Sequence, residues 1–432
     1  MIREPIFVLP FDGAQRMREA TADRGELGMA QHVADRMYVI TKFQDGTAGA
    51  RLPIEPRPGQ ERLRQKQRGT YLGTWQRASV EAQIAHYTVS HRTNVSIRTN
   101  DFLKLFPKLR RPRSTEHLFV VAHCPETAAL PEPQVLQEFA GWRVSAEAAV
   151  AVDLVVEPES HGLVQLDRHW PLQTLRDACV LIVGLGSLGS AAAVALAGYG
   201  VGRLDLVDPD RLLWHNTVRH VLDDRDIGRH KTDALAERLN TRWPGLDARS
   251  HVADVVENAD YVRGLLPKVD AVLCAADGVA PRRVVSHLAR RARRDAVLTS
   301  VLEDGALGEV LRLRPAPDQG CLLCRRNTLY DTARMEPERV QERGYGDGNP
   351  HRPMTAVGPD IALVGSFAAK VTIASVLERR GHGDQRLPGE QAVIGLRLRA
   401  RYKAPYDVPH TGSVSWNPAA PPRPGCVTCS EP

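Results

Sequence analysis

The sequence predicts an α/β protein with a doubly wound, mostly parallel sheet that carries a zinc clip, plus a smaller N-terminal α/β domain. In the second half of the chain, strands that are apolar throughout alternate with helices, as in a parallel sheet covered on both faces. A glycine-rich turn, GLGSLG at Gly184–Gly189, joins the first of these strands to a helix. Two Cys-x-x-Cys pairs follow, at Cys321–Cys324 and Cys426–Cys429.

The composition favours a two-domain protein with ordinary hydrophobic cores. The chain has 432 residues, of which 43% are hydrophobic, and a formal net charge of +6. The basic clusters Lys108–Arg113 and Arg290–Arg294 are interpreted as solvated faces, because aromatic residues make up only 5% and none interleave with them. We therefore expect no nucleic-acid partner.

The chain shows no signal-like N-terminal segment and no apolar run of about 18 residues that would span a membrane. The closest stretch, Ile361–Leu377, is interrupted by Lys370 and Thr372 and predicts a buried core helix. We expect no membrane association and a reducing cytoplasmic location, where paired cysteines more often bind a metal than form disulfides.

The chain divides near Pro158–Gln173, which predicts an N-terminal domain over 1–157, a linker over 158–173 and a second domain over 174–432. The N-terminal domain has predicted strands at Met37–Ile40, Leu118–Ala122 and Ala148–Val156, with loops at Pro53–Arg68 and Pro107–Arg113.

The second domain has a regular pattern. Its apolar strands are predicted at Cys179–Val183, Arg203–Val207, Ala271–Ala275 and Ala296–Val301, and its helices at Ser190–Tyr199, His230–Asn240 and Pro281–Arg294. Antiparallel strands are then expected at Gly308–Leu313 and Ala392–Arg401, separated by a polar loop at Arg334–Pro353 and the apolar helix Ile361–Leu377.

The glycine turn lies between a strand and a helix, which is the context of a phosphate-binding loop. Gly184, Gly186 and Gly189 are its candidate binding residues. Asp208 closes the next strand, where an acid can accept a hydrogen bond from a ribose hydroxyl. These features alone fit a Rossmann-like, NAD(P)-dependent oxidoreductase equally well.

The residues that follow favour a triphosphate instead. Asn216, Arg219 and Lys231 supply polar and cationic groups that a triphosphate needs and a dinucleotide does not. Lys231 is one of only eight lysines and lies at a predicted helix start, where a cation opposes the helix dipole and needs another reason to be present. Asp277 ends an apolar strand and is a candidate magnesium ligand; the alternative is a helix N-cap.

The motifs GLGSLGS, LVDPD, NTVRH, DIGRHK and AADGVAPR, together with the cysteine pairs, resemble the ThiF/MoeB family, the adenylation module of ubiquitin-activating enzymes. The resemblance covers roughly Leu166–Cys429. It implies that MgATP adenylates the C-terminal carboxylate of a small ubiquitin-like protein, a sulfur-carrier protein or a precursor peptide. The product would be an acyl-adenylate, with release of pyrophosphate.

The resemblance also implies roles for single residues. Gly184, Gly186 and Gly189 would line the phosphate loop, and Asp208 would hold the ribose. The phosphates and the leaving pyrophosphate would be contacted by Asn216, Arg219 and Lys231. Asp277 would bind magnesium, and Arg282 would have a structural role. By the same resemblance Cys321, Cys324, Cys426 and Cys429 would bind a structural zinc; two unrelated reduced turns are the alternative.

Departures from the family pattern narrow the expected chemistry. Thioester-forming members carry a cysteine in the crossover loop, but Arg325–Ile361 contains none, and Thr355 lies near the expected place. Cys179 and Cys274 lie inside apolar strands and are expected to be inert. The chain therefore resembles an enzyme that stops at the adenylate or passes it to an external nucleophile. His220 stands where many members have Gln, as in a bacterial fused branch.

The N-terminal domain faintly resembles a JAB-type isopeptidase domain at Glu26, Gly69–Trp75 and Ser96–Asp101. That family needs a His-x-His pair just after the tryptophan, whereas Gln76 and Arg77 follow Trp75 here, so such a domain would have lost its metal. His86 and His91 are spaced wrongly to replace the pair. A ubiquitin-conjugating-like domain with Cys124 as its thiol and a leader-peptide clamp are the alternatives.

The family usually pairs through its adenylation domains, so the resemblance implies a homodimer. Arg168 is a candidate for an arginine that reaches the ATP site of the neighbouring subunit. Besides the adenylyltransferase, two functions stay open: an NAD(P)-dependent oxidoreductase, and a non-catalytic adaptor that retains the fold.

Overall fold

A computed structural model of the protein describes residues 5–32, 37–55, 67–92, 95–128, 136–159, 162–331, 356–398 and 401–430. The chain divides into two compact units, Met1–His161 and Gly162–Pro432. The division falls within the stretch 158–173 that the sequence suggests as a linker. Residues Gly162–Leu166 already form a 3-10 helix of the second unit.

The first unit is built around one sheet. Its strands are β1 (Ile6–Leu9), β2 (Arg24–His32), β3 (Met37–Phe43), β4 (Leu52–Pro53), β5 (Gln67–Arg77), β6 (Ile97–Arg98), β7 (Leu118–His123), β8 (Phe139–Val144) and β9 (Ala148–Val156). Its helices are α1 (Phe11–Glu19), α2 (Val80–Ser90), α3 (Thr99–Leu105) and α4 (Pro125–Ala128). The strand order is β1-β3-β2-β5-β7-β8-β9, and β9 pairs back with β1.

The first unit is therefore a closed barrel. The short strand β1 pairs in parallel with both β3 and β9, which joins the two ends of the sheet. The three strands predicted from the sequence are present as β3, β7 and β9. The prediction of a simple α/β domain was incomplete, because an apolar run of four residues does not reveal that it has a partner on each side.

The second unit has an eight-stranded sheet in the order β12-β11-β10-β13-β14-β15-β16-β17. The strands are β10 (Cys179–Val183), β11 (Arg203–Val207), β12 (Asp247–His251), β13 (Ala271–Cys274), β14 (Asp295–Leu302), β15 (Leu307–Leu313), β16 (Gln391–Gly395) and β17 (Val414–Asn417). The helices are α5 (Leu172–Arg176), α6 (Ser187–Tyr199), α7 (Lys231–Arg242), α8 (Ala259–Leu265), α9 (Val279–Arg291), α10 (Leu322–Asp331) and α11 (Gly358–Arg379).

This sheet is mixed. From β12 to β14 every pair is parallel, and from β14 to β17 every pair is antiparallel. The predicted parallel strands and the antiparallel strands β15 and β16 are confirmed, although β16 ends at Gly395, before the predicted Arg401. β12 and β17 were not predicted: β12 reads DARSH and lies at the sheet edge, so it lacks the apolar pattern of a central strand.

Both faces of the sheet are covered. In β10, Val180 and Ile182 belong to one buried cluster and Leu181 and Val183 to another, so alternate side chains enter two cores. The parallel strands β10, β11 and β13 end at the same edge of the sheet. That edge carries Gly184, Asp208 and Asp277, three of the residues singled out from the sequence.

The helix α11 has 22 residues and is long and apolar enough to cross a membrane by length and composition alone, but 67% of its apolar window is buried inside the protein. It approaches α6 closely, since a Cβ on Gly365 would lie 2.5 Å from the carbonyl oxygen of Leu188. It behaves as the core helix that the sequence predicts.

Candidate functional site

The glycine turn connects the end of β10 to α6. Gly184 has a φ of +85°, and a Cβ there would lie 2.4 Å from the backbone nitrogen of Ala276. A Cβ on Gly189 would lie 1.8 Å from the carbonyl oxygen of Gly184, so neither position accepts a side chain. A Cβ on Gly186, the N-cap of α6, would meet no atom of the described residues within 4 Å. The first N–H groups of a helix lack intrahelical partners, and this open turn is therefore suited to an anion.

Asp208 lies just after β11 and is 5% exposed. Its Oδ2 accepts a hydrogen bond from the N–H of Leu185 at 2.6 Å, and its Oδ1 accepts one from the N–H of Asp210 at 2.8 Å. Burial raises the pKa of this carboxyl above its usual value. The predicted ribose ligand thus also holds the glycine turn against the end of β11.

Lys231 is the first residue of α7 and is buried, which excludes the interpretation as a solvated helix-start residue. Its Nζ lies 2.8 Å from Oδ2 of Asp210 and 3.9 Å from Oδ1 of Asp208. The side chain of Asp210 is 62% exposed, so the ammonium group lies under an accessible carboxylate. Asp210 was not predicted as a site residue, although it is the second aspartate of the LVDPD motif and could have been found there.

Asn216 ends the 3-10 turn Trp214–Asn216, and its Oδ1 accepts a hydrogen bond from the N–H of Leu213 at 2.9 Å. This bond fixes the start of the segment that leads to Arg219, which is half-buried. The first turn of α11 packs against the same segment: a Cβ on Gly358 would lie 3.5 Å from the Cα of Arg219.

His220 is buried and contacts the glycine turn directly. Its Nε2 lies 2.7 Å from the carbonyl oxygen of Leu185, and its Nδ1 accepts a hydrogen bond from the N–H of Leu222 at 3.0 Å. The sequence pointed to His220 only as a departure from the family pattern. A hydrogen bond to a backbone carbonyl 35 residues away leaves no mark in the sequence.

Asp277 follows β13 and is exposed. The N-cap of α9 is Gly278, so Asp277 does not have the capping role considered as its alternative. Its neighbour Ala276 lies against Gly184, as described above, and Nε of Arg282 donates to the carbonyl oxygen of Ala276 at 3.3 Å. The contact of Arg282 fits the structural role suggested for it.

The four paired cysteines converge. Their Sγ atoms all lie within 4.8 Å of one another. Individual separations are 3.5 Å for Cys321–Cys426, 3.7 Å for Cys324–Cys429 and 3.9 Å for Cys321–Cys324. A tetrahedral zinc with Zn–S bonds of about 2.3 Å needs sulfur separations of about 3.8 Å, so this donor set fits the ion.

The cysteine cluster is tied to α9. The N–H of Leu322 donates to Oγ of Ser286 at 3.2 Å, and Nδ1 of His287 lies 3.2 Å from Oγ1 of Thr428. The cluster therefore contacts the helix that begins two residues after Asp277. A four-thiolate site has no open position, which indicates a structural metal.

The remaining cysteines are buried. Burial raises the pKa of Cys179 to about 12 and that of Cys274 to about 11, and it also raises the pKa of Cys124. None of the three is suited to act as a thiolate nucleophile at neutral pH. Thr355 and most of the loop Arg325–Ile361 lie outside the described residues.

Among the described residues of the first unit, the isopeptidase-like positions do not form a metal-binding group. Glu26 is paired with Arg51 at 3.5 Å, and Nε2 of His86 lies 3.1 Å from the carbonyl oxygen of Gly141. Among the described residues, one group of three or more side chains brings metal-binding atoms together, and it consists of the four cysteines of the second unit. The type of this first domain stays a prediction.

A model of the ThiF family matches residues 161–395, more than half of the chain. The Sulfur carrier protein ThiS adenylyltransferase of Escherichia coli (strain K12) is 30% identical over 198 residues, which cover 46% of this chain and 71% of that protein. The Adenylyltransferase and sulfurtransferase MOCS3 of Anopheles gambiae is 29% identical over 263 residues, covering 60% of this chain and 51% of that protein.

A solved structure of E. coli MccB with ATP is 19% identical, with a TM-score of 0.44, and covers 60% of this chain and 68% of that one; this likeness is too distant to support an inference. The names of the two curated relatives support a transferase activity. The family match over more than half of the chain, with the E. coli relative covered over 71% of its length, shows that this chain belongs to the ThiF family.

Proposed function

We propose that this chain transfers AMP from ATP to the C-terminal carboxylate of a ubiquitin-like or sulfur-carrier protein, or of a precursor peptide. A carboxylate oxygen attacks the α-phosphorus, the bond to the α–β bridging oxygen breaks, and pyrophosphate leaves. The observation that carries the proposal is that Lys231 is buried close to Asp208. Asp208 in turn holds the glycine turn through a hydrogen bond from Leu185. A triphosphate on that turn would lie beside a preplaced cation.

No protein nucleophile is required, because the substrate supplies it. The protein contributes position and charge: Lys231 and Arg219 offset the charge that develops on the pyrophosphate, and Asn216 adds a hydrogen-bond donor. Asp208 still has acceptor capacity for a ribose hydroxyl, since each of its oxygens has a second lone pair. Asp277 is the proposed magnesium ligand, as an exposed carboxylate at the strand edge.

Cys321, Cys324, Cys426 and Cys429 are the proposed ligands of a structural zinc, whose chemistry is limited to holding these segments together. The acyl-adenylate is either the end product or is passed to an external acceptor, because each of the other three cysteines is buried and has a raised pKa. We also propose a homodimer. Arg168, which is exposed just before α5, stays the candidate for a contribution to the neighbouring site.

The alternative functions use fewer of these features. An NAD(P)-dependent oxidoreductase would need the glycine turn and Asp208 but gives no role to Lys231 or to Arg219. A non-catalytic adaptor would not need a buried lysine beside a phosphate turn.

The test is ATP–pyrophosphate exchange with purified full-length chain, magnesium and a candidate small protein ending in Gly-Gly, or a precursor peptide encoded nearby. We expect exchange that depends on both magnesium and the substrate carboxylate, with no exchange for a substrate amidated at its C-terminus. Enhancement of nicotinamide fluorescence by the chain, with no binding of ATP, would contradict the proposal and favour the oxidoreductase.

A further inference from the structure

The buried side chain of His220 binds the peptide group between Leu185 and Gly186. Nδ1 of His220 accepts the N–H of Leu222, so in a neutral ring the proton is on Nε2, which donates to the carbonyl oxygen of Leu185 at 2.7 Å. Burial lowers the pKa of His220 to about 4, which keeps the ring neutral at physiological pH. The hydrogen-bond pattern therefore fixes one tautomer.

Leu185 is fixed on its other side as well. Its N–H donates to Asp208 at 2.6 Å, and its side chain is fully buried in the core below the turn. With the contact from His220, both polar backbone groups of Leu185 are bound by buried side chains. The residue cannot rotate without breaking at least one of these bonds.

Because the peptide unit is planar, fixing the carbonyl of Leu185 also fixes the direction of the N–H of Gly186. In a trans peptide the C=O and the following N–H point in opposite directions. Because His220 draws the Leu185 carbonyl inwards, the N–H of Gly186 points away from His220. Among the residues that the structure describes, no atom lies within 4 Å of a Cβ placed on Gly186, so this side of the turn is open.

We propose that His220 is a positioning residue that aims the N–H of Gly186 at the phosphates of ATP. The proposal rests on the proposed function for the identity of the ligand. His220 itself does not touch the nucleotide; it acts through the Leu185–Gly186 peptide. Without its hydrogen bond this peptide can turn, and the phosphate loses a preorganised donor.

Three variants of the full-length chain separate this role from simple packing. His220→Phe keeps a ring but removes the donor. His220→Asn places an amide near the Nδ1 position and keeps the contact with Leu222, but does not reach Leu185. His220→Gln extends an N–H to the Nε2 position and restores the contact with Leu185. His382→Phe is the matched control, because Nε2 of His382 lies 3.2 Å from Oγ1 of Thr174 at the opposite edge of the sheet.

The measurement is the dissociation constant for MgATP by calorimetry, with melting temperatures to verify folding. We expect an increase of about tenfold for His220→Phe and for His220→Asn, and of less than about threefold for His220→Gln and His382→Phe. If His220→Phe does not fold, the comparison of Asn with Gln carries the test.

Equal affinities for all variants would overturn the positioning role. Equal weakening in His220→Gln and His220→Asn would overturn it too, because the donor to Leu185 would then not matter. Failure of the wild-type chain to bind MgATP would instead overturn the proposed function, and this proposal with it.

Discussion

Both units bury polar side chains at the end of a strand, but they use them differently. In the first unit, His123 ends β7, and its Nε2 lies 3.0 Å from Oε1 of Glu138. Arg18 donates to both oxygens of the same carboxylate, at 2.9 and 2.8 Å, and the ring of Phe139 stacks on His123. The charges of this cluster are paired with one another.

In the second unit, Asp208 and His220 are instead bonded to the backbone of Leu185, beside an open turn at Gly186. Buried polar groups therefore occur in both units, but those of the second unit hold the backbone of the glycine turn that we propose as the phosphate site. The comparison separates a cluster that stabilises a fold from one that prepares a site. We expect substitutions in the second unit to have larger effects than substitutions in the first.

The largest effect is expected at the proposed ATP site. Lys231→Ala and Asp277→Ala should each reduce ATP–pyrophosphate exchange about 100-fold or more, because each removes a preorganised charge. Lys370→Ala is the matched control, since Lys370 lies over the ring of Trp170 and takes no part in the site. Near-normal exchange in both site variants, with the correct substrate, would remove the adenylation hypothesis.

The next effect concerns the metal. Metal analysis of chain prepared without chelator should find about one zinc per molecule, and Cys321→Ser should lower both the zinc content and the melting temperature, because metal binding contributes folding free energy. Cys274→Ala, a buried cysteine outside the cluster, should keep its zinc. Zinc-free wild-type chain would rule out the proposed zinc site.

A smaller effect is expected at the closed cluster of the first unit. Burial would raise the pKa of Glu138, but hydrogen bonds from His123 and Arg18 lower it to about 2. Glu138→Gln should cost about 1–3 kcal/mol of unfolding free energy at pH 7, as for other hydrogen bonds to charged groups. Exchange activity should not change.

The destabilisation by Glu138→Gln depends on pH, because the pKa of Glu138 is lowered in the folded protein. A lowered folded-state pKa stabilises the protein above the unfolded value of about 4.3. The advantage of wild type over Glu138→Gln should therefore be full above pH 5 and disappear as the pH falls towards 2, as measured by chemical denaturation. Glu116→Gln removes an exposed partner of Arg110 and should have a smaller effect. A difference between wild type and Glu138→Gln that does not change with pH would contradict this account.

The smallest effect is expected at Cys124. Its Sγ donates to Oε2 of Glu126 at 3.2 Å, and burial raises the pKa of the thiol. Incubation of the chain with MgATP and substrate should give no reductant-sensitive band on a gel, and Cys124→Ala should behave like wild type. A band that vanishes with reductant and in Cys124→Ala would make the first unit a conjugating-type partner.

The sequence was most informative where chemistry and local pattern coincide. Continuous apolar runs located β10, β11 and β13, which lie side by side in the sheet. The cysteine spacing predicted a cluster that the structure brings within 4.8 Å. Lys231 was singled out as a phosphate ligand because lysine is scarce in this chain and a cation at a helix start opposes the dipole. The structure buries it with its Nζ 2.8 Å from Oδ2 of Asp210, and its role towards phosphate stays a prediction.

What the sequence did not reveal depends on contacts between distant parts of the backbone. The second partner of β1, which closes the barrel, is selected by the tertiary packing of a four-residue strand. The contact of His220 with Leu185 depends on how the segment after β11 folds back on the turn. A polar edge strand such as β12 has too little apolar alternation to be distinguished from a loop.

The helix α9 has 13 residues and is therefore about 20 Å long. One end begins two residues after Asp277, and its later turns hold the cysteine segments through Ser286 and His287. The helix therefore connects the carboxyl end of the parallel strands to the cluster of four cysteines. Oxidation of the four cysteines, the proposed zinc ligands, should therefore loosen one end of this helix and with it the segment of Asp277, the proposed magnesium ligand.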